Sequence, residues 1–156
     1  MKFRIRGWVE LELRDKRGRV KEKRKIENTL TYSGLSRILD FAFGLASGGF
    51  IYIAIGEGTT EPTSNDKELE AEIQRKQASV SKYTTEFEND SVKLETTFVF
   101  DAPHTISESG VFDSESGGIM LSRGLFKDPS TGELSPISVE AGDLLTVRWY
   151  YQISMG

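Results

Sequence analysis

The chain has 156 residues, with 20 basic and 24 acidic side chains, one histidine and no cysteine, a length that fits one domain with a core of its own. Without cysteine there are no disulfide frameworks or thiolate metal sites, and a single histidine excludes most imidazole zinc sites. Hydrophobic residues make up 37% and aromatic residues 10%, too much for a disordered chain, while the longest apolar window, near Ile38–Ala46, is interrupted by Asp40 and falls short of the ~20 residues that span a bilayer.

In chain order, Phe3, Ile5, Val9, Leu11 and Leu13 alternate with Lys2, Arg4, Arg6, Glu10 and Glu12, the period of a strand with one buried face. Asp15-Lys16-Arg17-Gly18 supplies a turn, and Arg19–Ile26 returns as a more polar second strand. Leu35, Ile38, Leu39, Phe41, Ala42 and Leu45 then recur at three- and four-residue spacings after caps at Thr31 or Ser33, which predicts one amphipathic helix of three to four turns. Ser47-Gly48-Gly49 ends it, and Phe50–Ile55 reads as a buried strand.

Gly56–Asp66 concentrates turn formers and reads as a surface loop, followed by a helical turn at Lys67–Glu72 and a strand around Ile73–Tyr83. Ser91–Phe100 alternates with Val92, Leu94, Thr96, Phe98 and Phe100 on one face, after a turn at Glu88-Asn89-Asp90. Further strands fit Thr105–Phe112, Gly118–Phe126 and Asp143–Ser154, the last with Leu145, Val147, Trp149, Tyr151 and Ile153 on a common face. About eight strands at regular spacing and one early helix predict a mainly β fold, an antiparallel β-sandwich or barrel-like domain over 28–156, with residues 1–27 a basic β-hairpin arm that is part of the same domain or attached to it.

Charge is uneven. Residues 1–27 hold eleven basic and five acidic side chains, a net +6, while 28–156 hold nine and nineteen, a net −10. Such asymmetry points to an electrostatic partner, and Glu10, Glu12, Asp15, Glu22 and Glu27 among the cations disfavour nucleic acid. The opening MKFRIRGWVELEL alternates charge where a secretory leader needs an unbroken apolar run, so synthesis in the cytoplasm is expected. Only three Asn and three Gln beside 28% charged residues resemble compositions from hot environments.

Candidate chemistry is sparse. His104 with Asp101, Ser107 and Glu108 suggests a hydrolytic triad only on paper, because residues three apart along a strand and turn do not assemble an oxyanion hole. Gly56-x-Gly58-Thr59-Thr60 follows a strand as a phosphate loop would but lacks the lysine and spacing, so its glycines read as close backbone approaches or positive φ. Glu57, Glu61, Asp66, Glu68, Glu70 and Glu72 fit no EF-hand spacing and read as a solvated acidic face. Trp8, Tyr150 and Tyr52 are candidates for stacking on sugar rings, with Trp8 also a candidate interface anchor. No residue pair is singled out for catalysis, and no cofactor or metal is expected.

Three segments carry a resemblance: IYIAIGEGTTEPTSNDKELEAEI, ISESGVFDSESGGIMLSRGLF and AGDLLTVRWYYQI. The order resembles small β-rich structural proteins of tailed bacteriophages, described as head-decoration, tail-fibre or other virion proteins, in which an "iGtGtt" loop, an "itEaGlfd" strand before "ggtmLar", and a closing "GDtLtvtW" recur. The matching positions are Ile55–Thr60, Ile106–Asp113, Gly117–Arg123 and Gly142–Trp149. The resemblance implies a non-enzymatic virion building block whose partner is the major capsid protein or another virion protein. A shaft or repeat that a receptor-reaching fibre needs is lacking, so a homotrimeric capsid decoration (cement) protein on the capsid exterior is expected. A tail-fibre or baseplate component, or a carbohydrate-binding module, is the alternative. The expected contacts are Lys2, Arg4, Arg6, Trp8, Arg14, Arg17, Arg19 and Lys23.

Overall fold

A computed structural model describes all of residues 1–156 and shows a mainly β fold. Twelve strands follow in chain order: β1 (Phe3–Arg14), β2 (Val20–Glu27), β3 (Thr29–Leu30), then helix α1 (Tyr32–Ala42), β4 (Tyr52–Gly56), β5 (Glu72–Gln77), β6 (Ser79–Tyr83), β7 (Ser91–Val99), β8 (His104–Ile106), β9 (Glu108–Phe112), β10 (Met120–Leu125), β11 (Ile137–Val139) and β12 (Leu144–Met155). One antiparallel sheet has the order β2-β1-β12-β7-β6, the second β3-β10-β9-β4-β5, and β8 and β11 form a short ribbon.

The first sheet forms where alternation is cleanest. Val9, Leu11, Leu13, Leu94, Phe98, Leu145, Val147 and Trp149 are almost fully buried and meet Ile53, Ile55 and Val111 of the second sheet in one core. Each such side chain contributes about 1.5–3 kcal/mol by leaving water. Trp149 places its indole N–H 3.1 Å from Ser109 Oγ, which donates to the Ala54 carbonyl at 2.8 Å, so the core also carries polar bonds between the sheets. Ile153 shares this parity but is 45% exposed, because β12 runs beyond the core.

Residues 1–27 form the expected hairpin, and it is built into the sandwich. β1 pairs along its whole length with β12, and Val9, Leu11, Leu13 and Ile26 lie in the core. The hairpin cannot detach without opening the domain.

Four expectations are corrected. The strand expected at Ile73–Tyr83 is two: β5 pairs with β4 and β6 with β7, and the chain changes sheets at buried Ala78, whose N–H donates to the Ile51 carbonyl at 2.7 Å. Thr105–Phe112 likewise divides at Ser107 between β8 and β9. No helical turn forms at Lys67–Glu72; Leu69 is buried there against Ala54, Phe112 and Met120. α1 is capped by Thr31, which accepts from the Gly34 N–H at 2.8 Å, but its apolar residues do not all face the core. Leu35, Leu39 and Leu45 are exposed, with Tyr32 and Phe43, while Ile38 packs inward. Gly34 sets this placement: a Cβ there would lie 2.6 Å from Leu121 Cα, so the helix rests its backbone on β10.

Candidate functional site

The most buried charged constellation centres on Glu108 at the start of β9. Its Oε2 accepts from the N–H groups of Gly58 (2.7 Å) and Ala71 (2.8 Å), and its Oε1 from the Glu70 N–H and Arg123 Nε, both at 2.9 Å. Glu108 is fully buried and Arg123 2% exposed. Arg123, on β10, also reaches Asp66 Oδ2 at 3.3 Å. A carboxylate with four donors is saturated as an acceptor. It clamps the Gly56–Ala71 loop to the sheet and has no free position for proton transfer.

Close approach explains the two loop glycines. A Cβ on Gly58 would lie 2.4 Å from Glu108 Oε2, and one on Gly56 2.5 Å from the Ala71 carbonyl oxygen. The amide that a phosphate would need at Gly58 is therefore taken by the protein's own carboxylate. The triad does not assemble either: Ser107 donates to the Gly58 carbonyl at 2.6 Å, Glu108 is committed to Arg123, and His104 Nδ1 stands 3.6 Å from Glu57. The acidic residues disperse to separate partners, Glu61 to Lys127, Asp66 to Arg123, Glu72 to Arg75 and Glu70 to the Thr59 N–H.

Aromatic residues gather on the solvent face of the first sheet. Trp8 and Tyr150, cross-strand neighbours, stack with centroids 5.2 Å apart and planes 4° from parallel. Lys25 Nζ lies 5.3 Å from the Trp8 ring centre, and Tyr83 meets Tyr150 edge-on at 5.8 Å. The ring faces are turned on one another and on a cation, so they do not form the open platform that sugar stacking requires. Burial, with the Glu10 carboxylate beside it, pushes Tyr150 up to about 12. Tyr52 packs at the second sheet beside Ala54, Leu69, Phe112 and Met120, away from this row.

The expected contact residues separate into two groups. Arg14 pairs with Glu12 at 2.9 Å, Arg19 with Asp15 at 2.9 Å and Lys23 with Glu12 at 3.5 Å, so these three cations are held by carboxylates of the hairpin itself. Arg17 is exposed at the β1–β2 turn. Lys2, Arg4 and Arg6 are exposed on one face at the start of β1.

Beside that start lies a cleft of about 930 Å³, between Ile5–Trp8, the β2–β3 junction at Asn28, Pro62, and the loop Lys127–Gly132. Asn28 Nδ2 is buried there with no hydrogen-bond partner. Neither the cleft nor Asn28 was singled out by sequence reasoning, although a signal existed. The turn at Asp15–Gly18 sets Trp8 opposite Glu27, so the alternating run from Lys2 outlasts its returning partner.

Comparison with protein-family models, curated proteins and solved structures returns no match in any of the three, and the likeness to phage structural proteins rests on the three sequence segments alone.

Proposed function

We propose that the chain is a non-enzymatic structural protein of a tailed-phage virion, a decoration protein that binds the capsid exterior as a homotrimer. The virion reading rests on the three sequence segments, and its homo-oligomeric part on the uncovered apolar stripe of α1, where Tyr32 is 66%, Leu39 55% and Phe43 76% exposed, continued by Leu45 at 78%. This stripe bears no charged side chain. A run of large apolar side chains left in water is the kind of surface that marks an interaction site. A second copy of this chain is its fitting occupant, since an uncharged helix face offers self-complementary packing around a symmetry axis.

Decoration is favoured over a fibre because a rigid sandwich without repeats or heptads has no means of extending to a receptor. Binding to the assembled shell and not to its dissociated subunits stabilises the shell by mass action. Mass spectrometry of density-banded particles from the culture that carries the gene, with light scattering of the purified chain, tests the reading. The expected results are the chain in intact particles and a mass of three copies, reduced to one by Leu39→Glu with Phe43→Glu. Absence from particles, or a monomer at every concentration, would overturn it.

A further inference from the structure

β1 outruns its neighbour. β12 covers it from Phe3 to Arg14, whereas β2 pairs only from Trp8 to Arg14. Residues 3–7 therefore form a sheet edge that no strand of this chain completes. The Gly156 N–H donates to the Lys2 carbonyl at 3.1 Å, which sets the parity of the strand. Backbone groups of alternate residues point to the same side, so Lys2, Arg4 and Arg6 turn theirs toward β12, and Phe3 and Ile5 turn theirs outward.

The side chains at this edge are sorted by face. Lys2, Arg4 and Arg6 stand exposed on one side, and Phe3, Ile5, Ile153 and Met155 share the other. Phe3 is 61% and Met155 73% exposed. The edge opens onto the 930 Å³ cleft.

We propose that this edge accepts an acidic, extended segment of a partner protein as an added β-strand, with carboxylates alternating with apolar side chains. The guest backbone pairs with the outward groups of Phe3 and Ile5. Its carboxylates face Lys2, Arg4 and Arg6, and its apolar residues lie beside Phe3 and Ile5. A second copy fits this edge poorly, because antiparallel self-pairing about Ile5 sets Arg4 of each copy opposite Arg6 of the other. The inference deepens the proposed function by naming how a virion partner is gripped, and it rests on that reading for where the partner resides.

The test uses the full chain and fluorescein-labelled ten-residue peptides of alternating Glu and Val, or Lys and Val, read by anisotropy and by amide exchange. The Glu peptide should bind at least tenfold tighter than the Lys peptide, weaken with salt, and slow exchange at the Phe3 and Ile5 amides. Ile5→Pro removes one outward N–H at an edge where proline is tolerated, and should weaken binding tenfold or more. Arg4→Glu with Arg6→Glu, both on exposed side chains, should reverse the peptide preference. Equal binding of both peptides, no binding, or displacement by a DNA oligonucleotide without slowed exchange at Phe3 and Ile5 would overturn the inference. So would a dimer that protects the same amides. Presence in particles is scored separately, so a chain found in virions whose edge binds no acidic strand defeats this inference alone.

Discussion

Replacing Glu108 with Gln probes the clamp that holds the Gly56–Ala71 loop. The carboxylate receives the Gly58 and Ala71 amides on one oxygen and the Glu70 amide and Arg123 on the other. A glutamine keeps the volume but turns an NH2 group toward two donors in either orientation, leaving two buried donors unmet. It also deprives Arg123 of its buried counter-charge, with Asp66 at 3.3 Å as the remaining carboxylate. Breaking one side of a buried ion pair costs about 3–5 kcal/mol. At roughly 2–4 °C per kcal/mol for a domain of this size, the melting temperature should fall by roughly 6–20 °C. Thermal and urea melts measure this, and amide exchange should show the loop at Gly58–Ala71 opening before the rest of the second sheet. A fall of less than about 2 °C with unchanged loop exchange would refute the clamp.

Trp149→Ala should cost about 3–5 kcal/mol by urea denaturation, since the indole is fully buried and its loss leaves a cavity. Gly34→Ala should destabilise by about 1–3 kcal/mol in the same assay, despite the higher helix propensity of alanine, because its Cβ meets the β10 backbone. Burial raises the Asp90 carboxyl, but hydrogen bonds from Thr85, Glu86 and Phe87 outweigh it and hold the group well below the usual carboxylate range. A depressed folded value gives stability that is fully present above the unfolded value near pH 4 and is lost as pH falls further. The gap in urea midpoint between the wild type and Asp90→Asn should therefore be constant above about pH 4.5 and shrink below it.

The elements legible in the sequence are those whose pattern carries their environment. Alternation identified the buried faces of β1, β7 and β12, and the Glu88-Asn89-Asp90 turn carries the left-handed φ of 59° at Asn89. The sheet changes at Ala78 and Ser107 escaped because an extended chain that crosses between sheets keeps its extended character and its alternation. β3 and β11, of two and three residues, are too short to show a period. The candidate clamp was not legible: Glu108 stood out beside His104 as a triad candidate, and its partners come from residues 58, 70, 71 and 123.

By itself the sequence determined the β class, the single helix with its cap at Thr31 or Ser33, the hairpin turn and the parity of the long strands. Each of these follows from side chains close along the chain, where period and turn chemistry act. Only the tertiary structure decided which face of α1 is left uncovered, because Leu35 and Ile38 are equivalent to the helix and differ only in whether a sheet lies beneath them. It also decided which of the hairpin's cations are neutralised and which remain, since charge pairing depends on distances between strands. The free edge at Phe3–Gly7 arises the same way: β1 is long enough to need a partner over twelve residues, and β2 ends opposite Trp8, where the chain passes on to β3 of the other sheet.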